Sequence, residues 1–246
     1  MSCFVPFNGR NLDTSFFVFR PTLVVVDELV DALKRFSVSA ETLGCVQSSI
    51  FRSIHGNMII WYGAWRRKSS DNKESLNAAL LSMLTDVSSM AILVEHSFFE
   101  PYAGESRDSS LAAKFSTGDI ISVDAAESTN CDIGDLAYAC LAILKSRFMK
   151  IEGLRAGVCT RSQSRPRVAC IYVWKSLQFC YSYILNLEYR NAILPYLDRF
   201  SLDLKYDIFK VVYVSSERSA SHLHYVSPHP MLGHEEESEE RQVMQN

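Results

Sequence analysis

Two stretches of the chain carry one pattern of apolar and polar positions. From Gly44 to Trp65, two short apolar runs flank the polar turn Ser53-Ile54-His55-Gly56-Asn57. About 109 residues later, Gly153 to Trp174 repeats the pattern around Ser162-Gln163-Ser164-Arg165-Pro166. With one constant offset Gly44 falls on Gly153, Arg52 on Arg161, Ile59 on Val168 and Trp65 on Trp174, with no gap. Gly, Asn and Pro supply the dihedrals a chain reversal needs, so each stretch reads as a β-hairpin. A duplicated hairpin predicts a duplicated unit.

The flanking segments complete the unit. Ser15 to Phe19 is a compact apolar run closed by Pro21, which cannot donate to a ladder, and predicts a strand. Leu29, Val30, Leu33 and Phe36 recur at helical spacing, as do Leu76, Ala79, Leu80, Met83 and Leu84. Met90 to His96 reads as a strand. Residues 1–14 look polar and irregular. Phe98 to Ser116, with Pro101, Gly104 and several serines, has the composition of a mobile linker. The order then restarts: a strand over Asp119 to Asp124, a helix over Asp132 to Phe148, the second hairpin, an apolar insertion over Ser176 to Tyr183, a helix over Leu187 to Phe200 interrupted by Pro195, and a strand over Phe209 to Ser215.

The predicted fold class is therefore α+β, a tandem duplicated β-α-β-β-α-β arrangement of ferredoxin-like units. The expected division is a first unit over 12–100, a linker over 101–116, a second unit over 117–216 and a disordered acidic tail over 217–246. Within the hairpin strands both faces are apolar. Ile59, Trp61, Gly63 and Trp65 alternate with Met58, Ile60, Tyr62 and Ala64, and Val168, Cys170, Tyr172 and Trp174 alternate with Ala169, Ile171 and Val173. A half-exposed sheet would alternate apolar with polar, so mainly antiparallel sheets packed face to face, with helices outside, are expected. In that arrangement Trp61, Trp65, Tyr172 and Trp174 are placed between the sheets, either as interdigitating core or as the wall of a small-molecule pocket.

Charge and cysteine usage narrow the field. The net charge is −3, and six acidic against two basic residues from Glu217 onward leave a nearly neutral body. Non-specific nucleic-acid binding, which relies on basic side chains at phosphates, is disfavoured. The basic-glycine-aromatic signature of an RNA-recognition sheet is missing from both hairpins, and Arg155, Arg161, Arg165 and Arg167 read as loop charges. Seven cysteines without a CxxC pair, and no basic-then-apolar leader, point to a reducing intracellular compartment. No apolar run is long enough to span a bilayer.

No nucleophile, base or phosphate motif appears. His55 falls in a turn and His96 at a strand end, each without a motif partner; Glu95, Glu100 and Glu105 cluster loosely, with nothing to fix their separation. His222, His224, His229 and His234 lie in the tail without the fixed spacing of a metal site. No catalytic residue, metal ligand or cofactor is assigned.

Met1 to Asn8, Gln47 to Asn57 and Tyr206 to Tyr213 together resemble a plant-restricted family of uncharacterised proteins. That resemblance implies no activity, cofactor or site residue, and it favours a plant cell's cytosol or nucleus. The functional expectation is a non-enzymatic intracellular module that engages a protein partner through a sheet edge, a helix face or the linker. Its alternative is a small-molecule binder or cofactor-independent enzyme with a pocket between the sheets.

Overall fold

Gly44 and Gly153 open the two copies of the hairpin, and both take positive φ angles, 94° and 76°. A side chain disfavours that conformation, so glycine at both places lets the chain turn sharply out of a helix into a strand. The computed structural model describes residues 2–8, 12–22, 26–67, 69–127, 132–186 and 203–215. Their elements in order are β1 (Ser2–Pro6), β2 (Leu12–Pro21), α1 (Val26–Thr42), β3 (Cys45–Ser53), β4 (Ile59–Arg66), α2 (Ser70–Ser82), α3 (Thr85–Ser88), β5 (Ala91–Ser106), β6 (Ala112–Ser116), β7 (Ile120–Glu127), α4 (Ile133–Phe148), β8 (Leu154–Ser162), β9 (Arg167–Trp174), α5 (Leu177–Ile184) and β10 (Asp203–Val214). The helix expected over Leu187 to Phe200 and the tail lie outside the described residues.

The duplicated α+β fold is present, and it closes on itself. Eight antiparallel strands form a barrel in the order β10-β3-β4-β2-β5-β8-β9-β7. Each unit contributes four adjacent strands, and the seams are β5 with β8 and β10 with β3. The two sheets face one another, as their apolar patterning requires, and they also pair edge to edge, which leaves none of the eight strands with a free edge.

Two expectations for irregular segments are corrected. Phe98 to Ser116 is strand rather than linker: β5 runs through Ser106, and β6 follows after a short turn. Pro101 is accommodated because the pairing of β5 with β8 shifts register between Pro101 and Ala103, where the missing N–H breaks no ladder bond. The chain start is also strand. β1 pairs with β6 as a separate ribbon centred on Phe4 opposite Lys114. Since β1 precedes β2 as β6 precedes β7, the two ribbon strands are counterparts, and the pseudo-twofold relating the units passes between them.

This ribbon closes one mouth of the barrel. Cys3, Val5, Ala113 and Phe115 pack against Phe51, Tyr62, Ile171 and Val211 in a single interior cluster. The other mouth is closed by charge. Arg167 is buried, donates Nε to Glu127 Oε2 at 3.1 Å, and also pairs with Glu95. A second ionic cluster spans the β5–β8 seam: Glu100 accepts from Arg67 Nη2 at 2.8 Å and from Arg161 Nη2 at 3.3 Å. Beside it, buried Asp13 meets Lys73 Nζ at 2.8 Å and accepts from Gln163 Nε2 at 2.8 Å. Three of the arginines read as loop charges are thus in ion pairs, since Arg155 also reaches Asp119 at 3.0 Å.

The hairpin faces are placed opposite to expectation. Trp61, Trp65, Tyr172 and Trp174 point outward, under the helices, while Ile60, Tyr62, Ala64, Ala169, Ile171 and Val173 point into the barrel. An eight-stranded barrel has room inside only for side chains that fill it, and here the rings of Phe16, Phe51, Tyr62 and Phe99 are accommodated beside Ala64, Ala156 and Ala169. The indoles instead fill the broader layer between sheet and helix. Trp65 Nε1 donates to Ser15 Oγ at 2.8 Å and Trp174 Nε1 to Ser122 Oγ at 3.0 Å, one bond repeated in both units.

Candidate functional site

That repeated indole–serine bond fixes which positions of the two sheets correspond. Ser15 on β2 stands for Ser122 on β7, so two residues further on Phe17 stands for Asp124. The hairpin offset sets Ile50 against Cys159, Trp61 against Cys170 and Gly63 against Tyr172. Each set forms a row across the outer face of its sheet, since Ile50 lies opposite Trp61 and Trp61 opposite Phe17, while Cys159 lies opposite Cys170 and Cys170 opposite Asp124.

In the first unit the row is solid hydrocarbon. Trp61 lies edge-on to Phe36 of α1 with ring centroids 4.8 Å apart, and to Phe17 at 5.6 Å. Its indole N–H is satisfied by Ser37 Oγ at 2.8 Å. The ring passes so close over Gly63 that a Cβ there would stand 2.5 Å from it. Burying three aromatic rings in one contact explains why α1 commits Leu29, Leu33, Phe36, Ser37 and Ala40 to this face.

The second unit replaces that row with small and polar groups. Cys170 takes the place of Trp61, Tyr172 returns part of the lost ring volume two residues later, and a carboxylate takes the place of Phe17. Asp124 Oδ1 is enclosed and has no hydrogen-bond partner among the described residues. Burial pushes the Asp124 carboxyl up from its ordinary value of 3.8 to about 7. Tyr183 of α5 comes alongside, its ring 5.5 Å from that of Trp174, and burial together with the Asp124 charge pushes its phenol up to about 12. Burial first, then neighbouring Cys170 and Asp124, likewise hold the Tyr172 phenol well above its usual range. Near neutral pH both phenols therefore keep their protons and can donate, whereas the carboxyl is poised between its two forms. Cys159 Sγ and Cys170 Sγ are 3.1 Å apart, and six described cysteines are free thiols.

Helix α4 roofs this layer through Leu136, Ala137, Leu144 and Phe148. Both of its ends are tied down. Asp132 caps the first turn by accepting from the Gly134 N–H at 2.6 Å. Arg107 donates Nη2 to Ile151 O at 2.7 Å and Nε to Leu154 O at 2.6 Å just beyond the last turn.

The other candidates do not converge. His55 Nε2 contacts the Tyr181 hydroxyl, and His96 stacks on Phe17 at 5.5 Å, its pKa lowered by burial and by Arg165. Glu95 and Glu100 are taken up in the ion pairs above, and Glu105 meets Lys145 at 3.5 Å. Among the described residues no group of three or more His, Cys, Asp or Glu is arranged to hold a metal ion, and no helix is long and apolar enough to cross a membrane. Asp124 was missed from sequence. Its signal was a lone acidic residue in mid-strand at a position where the first unit has Phe17.

A family model described as a domain of unknown function (DUF7392) matches residues 97–209. No curated protein matches the chain. Among solved structures the chain is similar to an anthrone oxidase-like protein, with 14% identity and a TM-score of 0.67 over 88% of this chain and 97% of that one. It is also similar to a Fusobacterium nucleatum protein provisionally described as a monooxygenase, with 7% identity and a TM-score of 0.60 over 84% and 95% of the two chains. A monooxygenase so described from Lactobacillus acidophilus gives 9% identity and a TM-score of 0.53 over 85% and 97%. At these identities the likeness is one of fold: the chain has a ferredoxin-like α+β barrel, with both β-α-β-β-α units in one polypeptide.

Proposed function

We propose that the layer between the second sheet and α4 binds a small, largely apolar ligand that carries an acidic O–H or C–H group. Asp124 is its polar anchor. The observation that carries this proposal is Asp124 Oδ1, enclosed and without a partner among the described residues, in the row that the first unit fills with Phe17 and Trp61. An orphaned carboxylate oxygen in an apolar layer is costly unless something donates to it. Once ionised, a carboxylate with a pKa near 7 is also a competent proton acceptor, the property a cofactor-independent enzyme needs at its base. On this reading the ligand belongs in the sheet–helix layer of the second unit rather than between the sheets.

Phenol and anthrone, apolar ring systems with an acidic O–H and an acidic C–H respectively, are suitable probes. Titrated into the protein and followed by NMR, they are expected to shift resonances of Asp124, Tyr172 and Tyr183 saturably, and Asp124→Leu is expected to abolish the effect. Shifts that are absent, or unchanged in the variant, overturn the proposal.

The second proposal is a non-enzymatic module with a protein partner, supported by the exposed apolar side chains Ile92 and Val94 on β5 and Leu81 on α2. A pull-down in which Ile92→Glu/Val94→Glu recovers the same proteins as the parent would remove it. The compartment proposed is the cytosol or nucleus of a plant cell, on the resemblance of the sequence and on the free thiols. A fluorescent fusion seen in a secretory compartment would contradict that.

A further inference from the structure

The ribbon in the barrel mouth is held in a way that its internal symmetry does not require. Among the described residues β1 is hydrogen-bonded as a strand only to β6. Its opposite edge is met by side chains instead. Gln47 Nε2 donates to Phe4 O, Phe4 N–H donates to Gln47 Oε1 at 3.3 Å, and Tyr62 Oη donates to Phe4 O at 3.0 Å. Gln47 is buried, and both ends of its amide are spent on the backbone N–H and C=O of one residue, Phe4. In the second unit the hairpin offset puts Ala156 where Gln47 stands, so the counterpart strand β6 receives no such contact. Reading a backbone peptide group by a buried amide is sequence-independent. Selectivity comes from the alternate side chains, and Cys3 and Val5 are both fully buried among Phe51, Tyr62 and Phe115.

Those features match the way an extended peptide is recognised: main-chain bonds on both edges, pockets for every second side chain. We propose that the barrel mouth is a receptor groove for an extended peptide, and that β1 is its intramolecular occupant. The partner that fits is a segment with small or β-branched apolar residues at the two positions taken by Cys3 and Val5. One edge pairs with β6, and the backbone N–H and C=O of the residue between them are read by Gln47 and Tyr62. The groove lies at the end of the barrel on the pseudo-twofold, apart from the Asp124 layer, and does not depend on that site.

The test uses the full chain with Val5→Asp, which sets a carboxylate in a fully buried position and expels β1, and a fluorescein-labelled peptide of residues Ser2 to Asn8. Anisotropy is expected to show saturable binding at least ~30-fold tighter than to the parent chain, whose own strand competes in cis. Adding Gln47→Ala is expected to lose most of that gain. A folded Val5→Asp chain that fails to bind at millimolar peptide overturns the proposal. Hydrogen exchange on the unmodified chain decides independently should the variant not fold. The Phe4 amide is expected to exchange ~100-fold or more faster than that of Tyr62, through opening of the ribbon alone. Equal rates, meaning that β1 is released only on global unfolding, overturn it equally.

Discussion

Replacing Asp124 by Asn is expected to remove a pH-dependence of stability whose size follows from its burial. The carboxyl is raised from 3.8 to about 7 in the folded chain. The native state therefore holds the proton more tightly than the unfolded state does. The resulting contribution to stability is fully present below pH ~4, shrinks as pH rises between the two pKa values, and is gone above the folded pKa. A shift of about three units at ~1.4 kcal/mol each amounts to roughly 4 kcal/mol across that window, an order-of-magnitude figure. The assay is urea denaturation of the parent and Asp124→Asn at pH 5, 6, 7 and 8. Subtracting the two stability curves cancels every other titrating group. The parent is expected to lose stability relative to the variant at close to 1.4 kcal/mol per pH unit up to about pH 7, then level off. A flat difference, or one in which the parent gains on the variant as pH rises, would refute the claim that Asp124 Oδ1 is enclosed without a donor among the described residues.

Other consequences are checked by the same denaturation method. Ser15→Ala and Ser122→Ala each leave a buried indole N–H without its acceptor and are expected to cost ~1–3 kcal/mol apiece, in similar measure because the bond is the same in both units. Gly63→Ala drives a methyl into Trp61 and is expected to destabilise by ~1–3 kcal/mol through forced repacking. Arg167→Ala strands Glu95 and Glu127 at the barrel mouth. Because both carboxylates still reach water, a loss near ~3 kcal/mol, the low end for breaking a buried pair, is expected at pH 7, with a smaller loss at pH 4.

Most of the fold was legible because the information is local and repeated. The hairpins, α1, α4 and the two-sided burial of the sheets follow from periodicity that tertiary contacts reinforce. What misled was composition without partners. Phe98 to Ser116 looks like a loop until β8 and β1 are supplied to pair it, and the first residues look irregular until β6 is. The direction in which Trp61 and Trp174 point was undetermined, since a strand that is apolar on both faces says nothing about which face meets the barrel. The helices that cover these tryptophans in both units decide it. Asp124 was hidden for a related reason. A single acidic residue in a strand ordinarily marks solvent, and its meaning emerged once Ser122 and Ser15 were seen to hold equivalent indoles.

Containing the whole barrel in one polypeptide has a consequence for how its halves change. A symmetric assembly of two identical chains must carry every substitution twice, so filling one sheet–helix layer with Trp61 and Phe17 would fill the other as well. Joined in tandem, one half is free to keep Trp61 opposite Phe17 while the other sets Cys170 opposite Asp124 at the same positions. The seams at β5–β8 and β10–β3 then hold at any protein concentration.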